Sequence, residues 1–216
     1  MHYRTFILPV VLVVCAAGAS ASAPSAQPIP HPRSLDYLLD SRESRMEMRT
    51  ATEGVMSGFA PGYTFVFYAF EGFIRLAPGS VTPAEFVMVT KADSIRVVGR
   101  IRESEKAMVE GILKNEMMET ARYPEIVYRG TNIALEKTGP ATYRATIDGT
   151  MSQHGVTRRC PIVVDAVVTD THVRMRGSFT ILQSDYGIRP KRLAGGLVRV
   201  KDRVFLSFDL VAARAR

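Results

Sequence analysis

At 216 residues and 46% hydrophobic content, the chain is long enough to bury one full core, and a single domain is the default. Its formal charge of +7 favours anionic partners, but no basic–aromatic nucleic-acid motif occurs, so nucleic acid is set aside and the charge serves first to keep the protein in solution. Past the N-terminus no apolar run is long enough to span a bilayer.

The chain begins with His2 and Arg4, then an apolar run over residues 6–19 and the small residues Ala19, Ser20 and Ala21. That order is a secretory signal peptide covering residues 1–21, cut after Ala21. Cys15 raises the alternative of a lipid-anchored protein, but Val14 stands where that signal wants Gly, Ala or Ser. Cys15 therefore reads as one more apolar residue of the signal. Cleavage removes Arg4 and lowers the charge from +7 to +6. It also leaves Cys160 as the one cysteine, so no internal disulfide is available. Residues 22–34 hold four prolines and form a linker. The domain occupies residues 35–216.

Strand signals dominate the domain. Residues 44–50 alternate Met46 and Met48 with charged neighbours, the period of two that marks a strand with one buried face. Residues 63–76 are rich in aromatics and are expected to bend or split at Gly72. Ala77, Pro78 and Gly79 form a turn, and further strands start near Glu85, Tyr123, Tyr143 and Arg159. Residues 104–119 change period: Met108, Val109, Ile112, Leu113 and Met117 share one helical face with Glu116, and acids and lysines fill the other. This is an amphipathic helix of about four turns with Ser104 as its N-cap, lying over one end or side of the sheet, as a cover or as a lid. Two more alternating strands close the chain, one carrying Val173, Met175, Gly177, Phe179 and Ile181, the other Val204, Leu206, Phe208 and Leu210. About eight strands and one helix predict an all-β fold, a closed antiparallel barrel with an interior.

Four segments taken together resemble the YceI-like family of polyisoprenoid-binding, lipocalin-like bacterial proteins. They are ARYPEIVYRGT at 121–131, IDGTMSQHGVTR at 147–158, GSFTILQSDYGI at 177–188 and VKDRVFLSFDLVA at 200–212. Their order and spacing agree with the family over roughly residues 36–213. The resemblance implies an eight-stranded antiparallel lipocalin-like barrel around a long apolar ligand, a periplasmic location, and no catalytic residues. Two departures stand out. Tyr63 and Phe65 occupy the positions of an early pair of histidines found in several members, and Gln153 stands where a hydrophobic or β-branched residue is common.

Register offers a lining for such a ligand. Ile126, Tyr128, Ile147, Cys160, Ile162 and Val164 fall on the same face as Val173, Met175, Phe179, Val204, Leu206 and Phe208. Periodicity alone fits a filled core as well as a cavity; the resemblance favours the cavity. A tail of about twenty carbons buried at roughly 0.8 kcal/mol each gives about 16 kcal/mol gross, of which association costs of roughly 4–15 kcal/mol remove most. Selection by length and shape is the consequence, and no cofactor is implied. The partner is an isoprenoid or another long-chain lipid, with peripheral membrane contact. For a charged headgroup, Arg158, Arg189, Lys191 and Arg192 are the candidate cations, although each also fits as an ordinary solvated charge.

Competing chemistry has thin support. His154 and His172, with Cys160, are too few for a metal centre, and His154 suits the packing of a tight turn. Ser152 lies two residues from His154, a hydrolase pairing. No nucleophile-elbow motif surrounds it, and residues two apart on a strand sit about 7 Å apart. Arg158 and Arg159 beside Cys160 would favour its thiolate, whereas an inward-facing sulfur would be inert.

Overall fold

The computed structural model describes residues 36–55, 57–59, 62–76 and 83–215. The expected signal peptide with Cys15, the expected linker at 22–34 and the expected turn at Ala77, Pro78 and Gly79 lie outside the described residues.

Eight antiparallel strands follow one another in sequence order, and the last pairs with the first. They are β1 (Asp36–Leu39, continued by Arg45–Arg49), β2 (Thr64–Phe67 and Phe70–Leu76), β3 (Pro83–Lys91 and Ile95–Val98), β4 (Glu125–Lys137), β5 (Thr142–Gln153), β6 (Val156–Arg159 and Ile162–Val168), β7 (His172–Leu182) and β8 (Arg203–Arg214). Closure is explicit in the register: Leu38 lies opposite Ala213 of β8 on one side and Phe73 of β2 on the other. A closed sheet leaves no unpaired edge, and every strand turns alternate side chains inward. Along β5 the buried residues are Ala145, Ile147, Gly149, Met151 and Gln153.

The first three strands are each broken, and the breaks shape the upper end. β1 loops out between Leu39, opposite Ala212, and Arg45, opposite Asp209. The loop is pinned by the Asp40 N–H donating to the Val211 carbonyl at 2.8 Å and the Val211 N–H donating to Ser44 Oγ at 2.8 Å. β2 breaks at Tyr68 and Ala69 rather than at Gly72. Gly72 lies inside the strand because a Cβ there would stand 2.1 Å from the Val87 carbonyl oxygen; the glycine permits a close strand approach, not a bend. β3 kinks at Ala92–Ser94. Beyond the kink it keeps its pairing with β2, while β4 begins opposite Lys91.

The helix, α1, packs against this splayed corner. It runs over Glu103–Gly111 and passes into a π-helical turn over Ile112–Met117. Arg102, not Ser104, is the N-cap, with no side-chain capping bond. The widened turn buries Leu113 and Met117, and Met118 beyond it is buried too, whereas Met108, placed by periodicity on the apolar face, is 58% exposed. The long connection before β8 carries short strands, Arg192–Leu193 and Val198–Val200, that join Thr52–Glu53 in a separate three-stranded sheet.

Half-way along the barrel, large side chains lie over glycines. A Cβ at Gly149 would meet Tyr128 Oη at 2.4 Å and the Arg129 carbonyl oxygen at 2.7 Å, and one at Gly177 would meet Phe208 Cζ at 2.6 Å. Gly149→Ala is therefore expected to destabilise the fold by about 1–3 kcal/mol through overpacking, read as a lower midpoint in urea unfolding.

Candidate functional site

Above that middle layer the barrel is hollow. A chamber enclosing about 880 Å³, its open mouth included, is walled by Met46 and Met48 of β1, Phe67 of β2, Met88 and Thr90 of β3, Met151 and Gln153 of β5, and Ile181 of β7. Leu113 and Met118 from the end of α1 and Ile188 from the loop after β7 cover it. Among the described residues no charged side chain lines it. Below the layer a smaller apolar chamber, about 450 Å³ with its open mouth included, is lined by Ile74, Leu76, Ile133, Leu135, Ala166 and Val168 among others. Phe86 belongs to both linings. Its ring packs against Tyr128 with centroids 5.8 Å apart, so the pair forms a floor between the two.

The twelve residues singled out by register therefore divide. Ile126, Tyr128, Ile162, Phe179, Val204, Leu206 and Phe208 line the upper chamber, while Ile147, Val164, Val173 and Met175 line the lower one. Cys160 is buried but lines neither; its carbonyl accepts a hydrogen bond from Tyr128 Oη at 3.0 Å. Register missed the four methionines, Thr90 and Gln153. The alternation over 44–50 and 85–91 carried part of that signal, whereas Leu113, Met118 and Ile188 come from outside the strands.

The candidate cations form no cluster on the lining. Arg158 donates through Nε to the Asp185 carbonyl at 3.0 Å, Lys191 is ion-paired with Glu116 of the π-turn, and Arg189 and Arg192 are exposed. Arg189 directly follows Ile188 at the rim.

The helix is held at several points by its acids. Tyr63 Oη donates to Glu105 at 2.8 Å, and the Val97 N–H donates to Glu110 at 2.9 Å. Burial, reinforced by that carboxylate, pushes the Tyr63 phenol up to about 12. At the C-terminal end, His154 Nε2 lies 3.1 Å from Glu119 and its Nδ1 lies 3.1 Å from the Tyr186 carbonyl oxygen, with the ring against Tyr123. His154 and Gly155 form the tight turn between β5 and β6, with φ of 50° and 74°. Ser152 bonds instead to Thr157 at 2.7 Å, so both groups of the candidate hydrolase pair are bonded elsewhere.

Cys160 is not activated by its arginine neighbours. Burial pushes its thiol up to about 11, and Arg159 is bound to Asp148 at 2.7 Å. A raised pKa means less thiolate at any pH below it, about a thousandth at pH 8. Native protein is expected to resist thiol-directed labelling at pH 8 and to label at once in denaturant, as a colorimetric thiol assay would read.

These features define a class: an eight-stranded antiparallel, lipocalin-like barrel with an apolar, hollow interior under a single helix. The profile of the YceI-like domain matches residues 37–212, and the chain belongs to that family. The fold also matches that of Burkholderia cenocepacia BcnA, with a TM-score of 0.60 and 15% identity over 81% of this chain and 99% of that one. A polyisoprenoid binding domain from Saccharophagus degradans, implicated in plant cell wall breakdown, is similar too, with a TM-score of 0.62 and 16% identity over 85% and 100% of the two chains. No curated protein matches the sequence.

Proposed function

We propose that the upper chamber holds the tail of a long-chain amphiphilic lipid, of the isoprenoid class or similar to it, and that the protein carries or sequesters this lipid in the periplasm without covalent chemistry. The observation that carries the reading is an uncharged, apolar hollow inside a closed barrel, where a packed interior would otherwise be stabilised by filling. Family membership and the likeness to a polyisoprenoid binding domain support it, and the signal-peptide pattern supports export. Methionines suit this wall, because their unbranched thioethers adapt to an irregular chain. Each buried CH₂ contributes about 0.8 kcal/mol, so affinity is set by how many carbons the hollow accepts. Loading by brief contact with the membrane surface fits a chamber whose cover is a helix.

The test is native mass spectrometry of protein purified from the periplasm without detergent, followed by organic extraction. A stoichiometric prenyl or acyl species is expected. A clean protein mass that takes up no prenyl phosphate, quinone or fatty acid would overturn the reading.

A further inference from the structure

Besides the Tyr128 hydroxyl, three polar side chains interrupt the apolar wall of the upper chamber, Thr90, Gln153 and Gln183; Gln183 Nε2 donates to the Lys201 carbonyl at 2.9 Å, whereas the other two have no partner. Thr90 is 1% exposed and Gln153 is 7% exposed, yet Thr90 Oγ1 and Gln153 Nε2 make no hydrogen bond. Both residues line the chamber. A buried hydroxyl or amide without a partner is costly, and folded proteins nearly always satisfy such groups. The two lie in one cross-strand row, with Ile126 between them. Thr90 lies opposite Ile126 across β3 and β4, and Val127 lies opposite Ser152 across β4 and β5. Gln153 therefore flanks Ile126 on the side away from Thr90, about 10 Å from it at two strand spacings. The turn after Gln153 is fastened by His154 to Glu119 and to the Tyr186 carbonyl, so the backbone that carries Gln153 is held in place.

Both unpaired atoms can donate, and the wall between them carries no charge. A site of that kind suits an uncharged acceptor; a phosphate or carboxylate there would be stripped of water with no cation to balance it. We propose that Thr90 and Gln153 together bind the neutral carbonyl oxygen of the lipid, placing its polar group inside the chamber beneath α1 with its tail pointing towards Phe86. The inference rests on the upper chamber being the lipid site. It moves headgroup recognition from the rim cations to the wall, and it takes an ester, an amide or a quinone carbonyl as the shared chemistry.

The experiment uses the full-length protein freed of bound lipid, with displacement of anilinonaphthalene sulfonate as the readout. The competitors are methyl laurate, lauramide, a decyl-substituted benzoquinone and dodecane. At least one carbonyl probe is expected to bind about tenfold or more tightly than dodecane, and the preferred one identifies the source. In the Thr90→Val, Gln153→Met double variant the preference of the carbonyl probes over dodecane disappears. Replacing unpaired polar groups by apolar ones of similar shape is close to neutral for folding, and thermal melting checks that the variant folds. A preference that survives in the double variant overturns the proposal, as does a parent protein that binds all four probes equally. A parent that binds none of them overturns the lipid reading itself, a result distinct from binding without preference.

Discussion

Phe86→Ala is expected to join the two chambers and lengthen the tail that the barrel accepts. On β3 the upper chamber is lined from Phe86 through Met88 to Thr90, four residues, or about 13 Å of strand. At a tilt of about 40° that is roughly 10 Å along the barrel axis. Over β7 and the residue that follows it the two linings together run from Val173 to Gln183, which by the same geometry is about 25 Å along the axis. An extended alkyl chain advances about 1.25 Å per carbon, its bond length projected on the axis. The parent floor thus stops a tail near eight to ten carbons, and the variant admits roughly ten more. Each added pair of carbons contributes about 1.6 kcal/mol, some fifteen-fold in affinity. Across a series of saturated alcohols from about eight to about twenty carbons, the parent's affinity is expected to level off early and the variant's to keep rising. Removing a ring that is 2% exposed costs about 3–5 kcal/mol of stability, so urea unfolding must accompany the titration. Identical length profiles in the two proteins would show that Phe86 is no floor.

The barrel was legible because its signal is local and repeated. Alternation in residues such as Met46 and Met48, or Val204 to Leu210, needs only the chain's own pleat, and eight such runs point to closure. What stayed hidden depends on three-dimensional register. Ile147 and Ile162 share a face and lie opposite each other across β5 and β6, yet they line different chambers, because their side chains lie on opposite sides of a layer set by barrel tilt and by Phe86. Gly72 reads as a break in a strand, and only the approach of β3 shows that it is a contact. Met108 falls on one apolar face with Leu113 and Met117 at 3.6 residues per turn; the structure buries Leu113 and Met117, but with the π-turn after Gly111 it is Met118 that joins them while Met108 stays exposed.

The acids of α1 make the same point about function. Sequence assigned most of them to a solvent face. The structure gives Glu105, Glu110, Glu116 and Glu119 partners on Tyr63, Val97, Lys191 and His154. Partly exposed pairs of this kind are individually weak. Spread along the helix and the turn that follows it, they fix where the cover sits while leaving its release inexpensive, as the proposed carrier role requires. Tyr63, read from the sequence as a departure from the family pattern, contributes one of these anchors to the helix.

Met88→Trp separates a hollow barrel from a packed one. Met88 is half-buried in the chamber wall just above Phe86, opposite Tyr128 on β4 and Gly72 on β2. In a packed interior an indole at this position would overfill the core and cost about 1–3 kcal/mol. In a hollow chamber the ring occupies space already present and gains dispersion contacts, so the melting temperature is expected to hold or rise. The same ring removes the deepest part of the tail site. Losing the burial of four carbons, at about 0.8 kcal/mol each, lowers affinity for a twelve-carbon tail by roughly two orders of magnitude. Calorimetric melting and lipid displacement on the one variant give both readings. Retained stability with lost binding identifies the chamber as the lipid site; lost stability with unchanged binding places the lipid elsewhere and makes the barrel a solid scaffold whose outer face does the work.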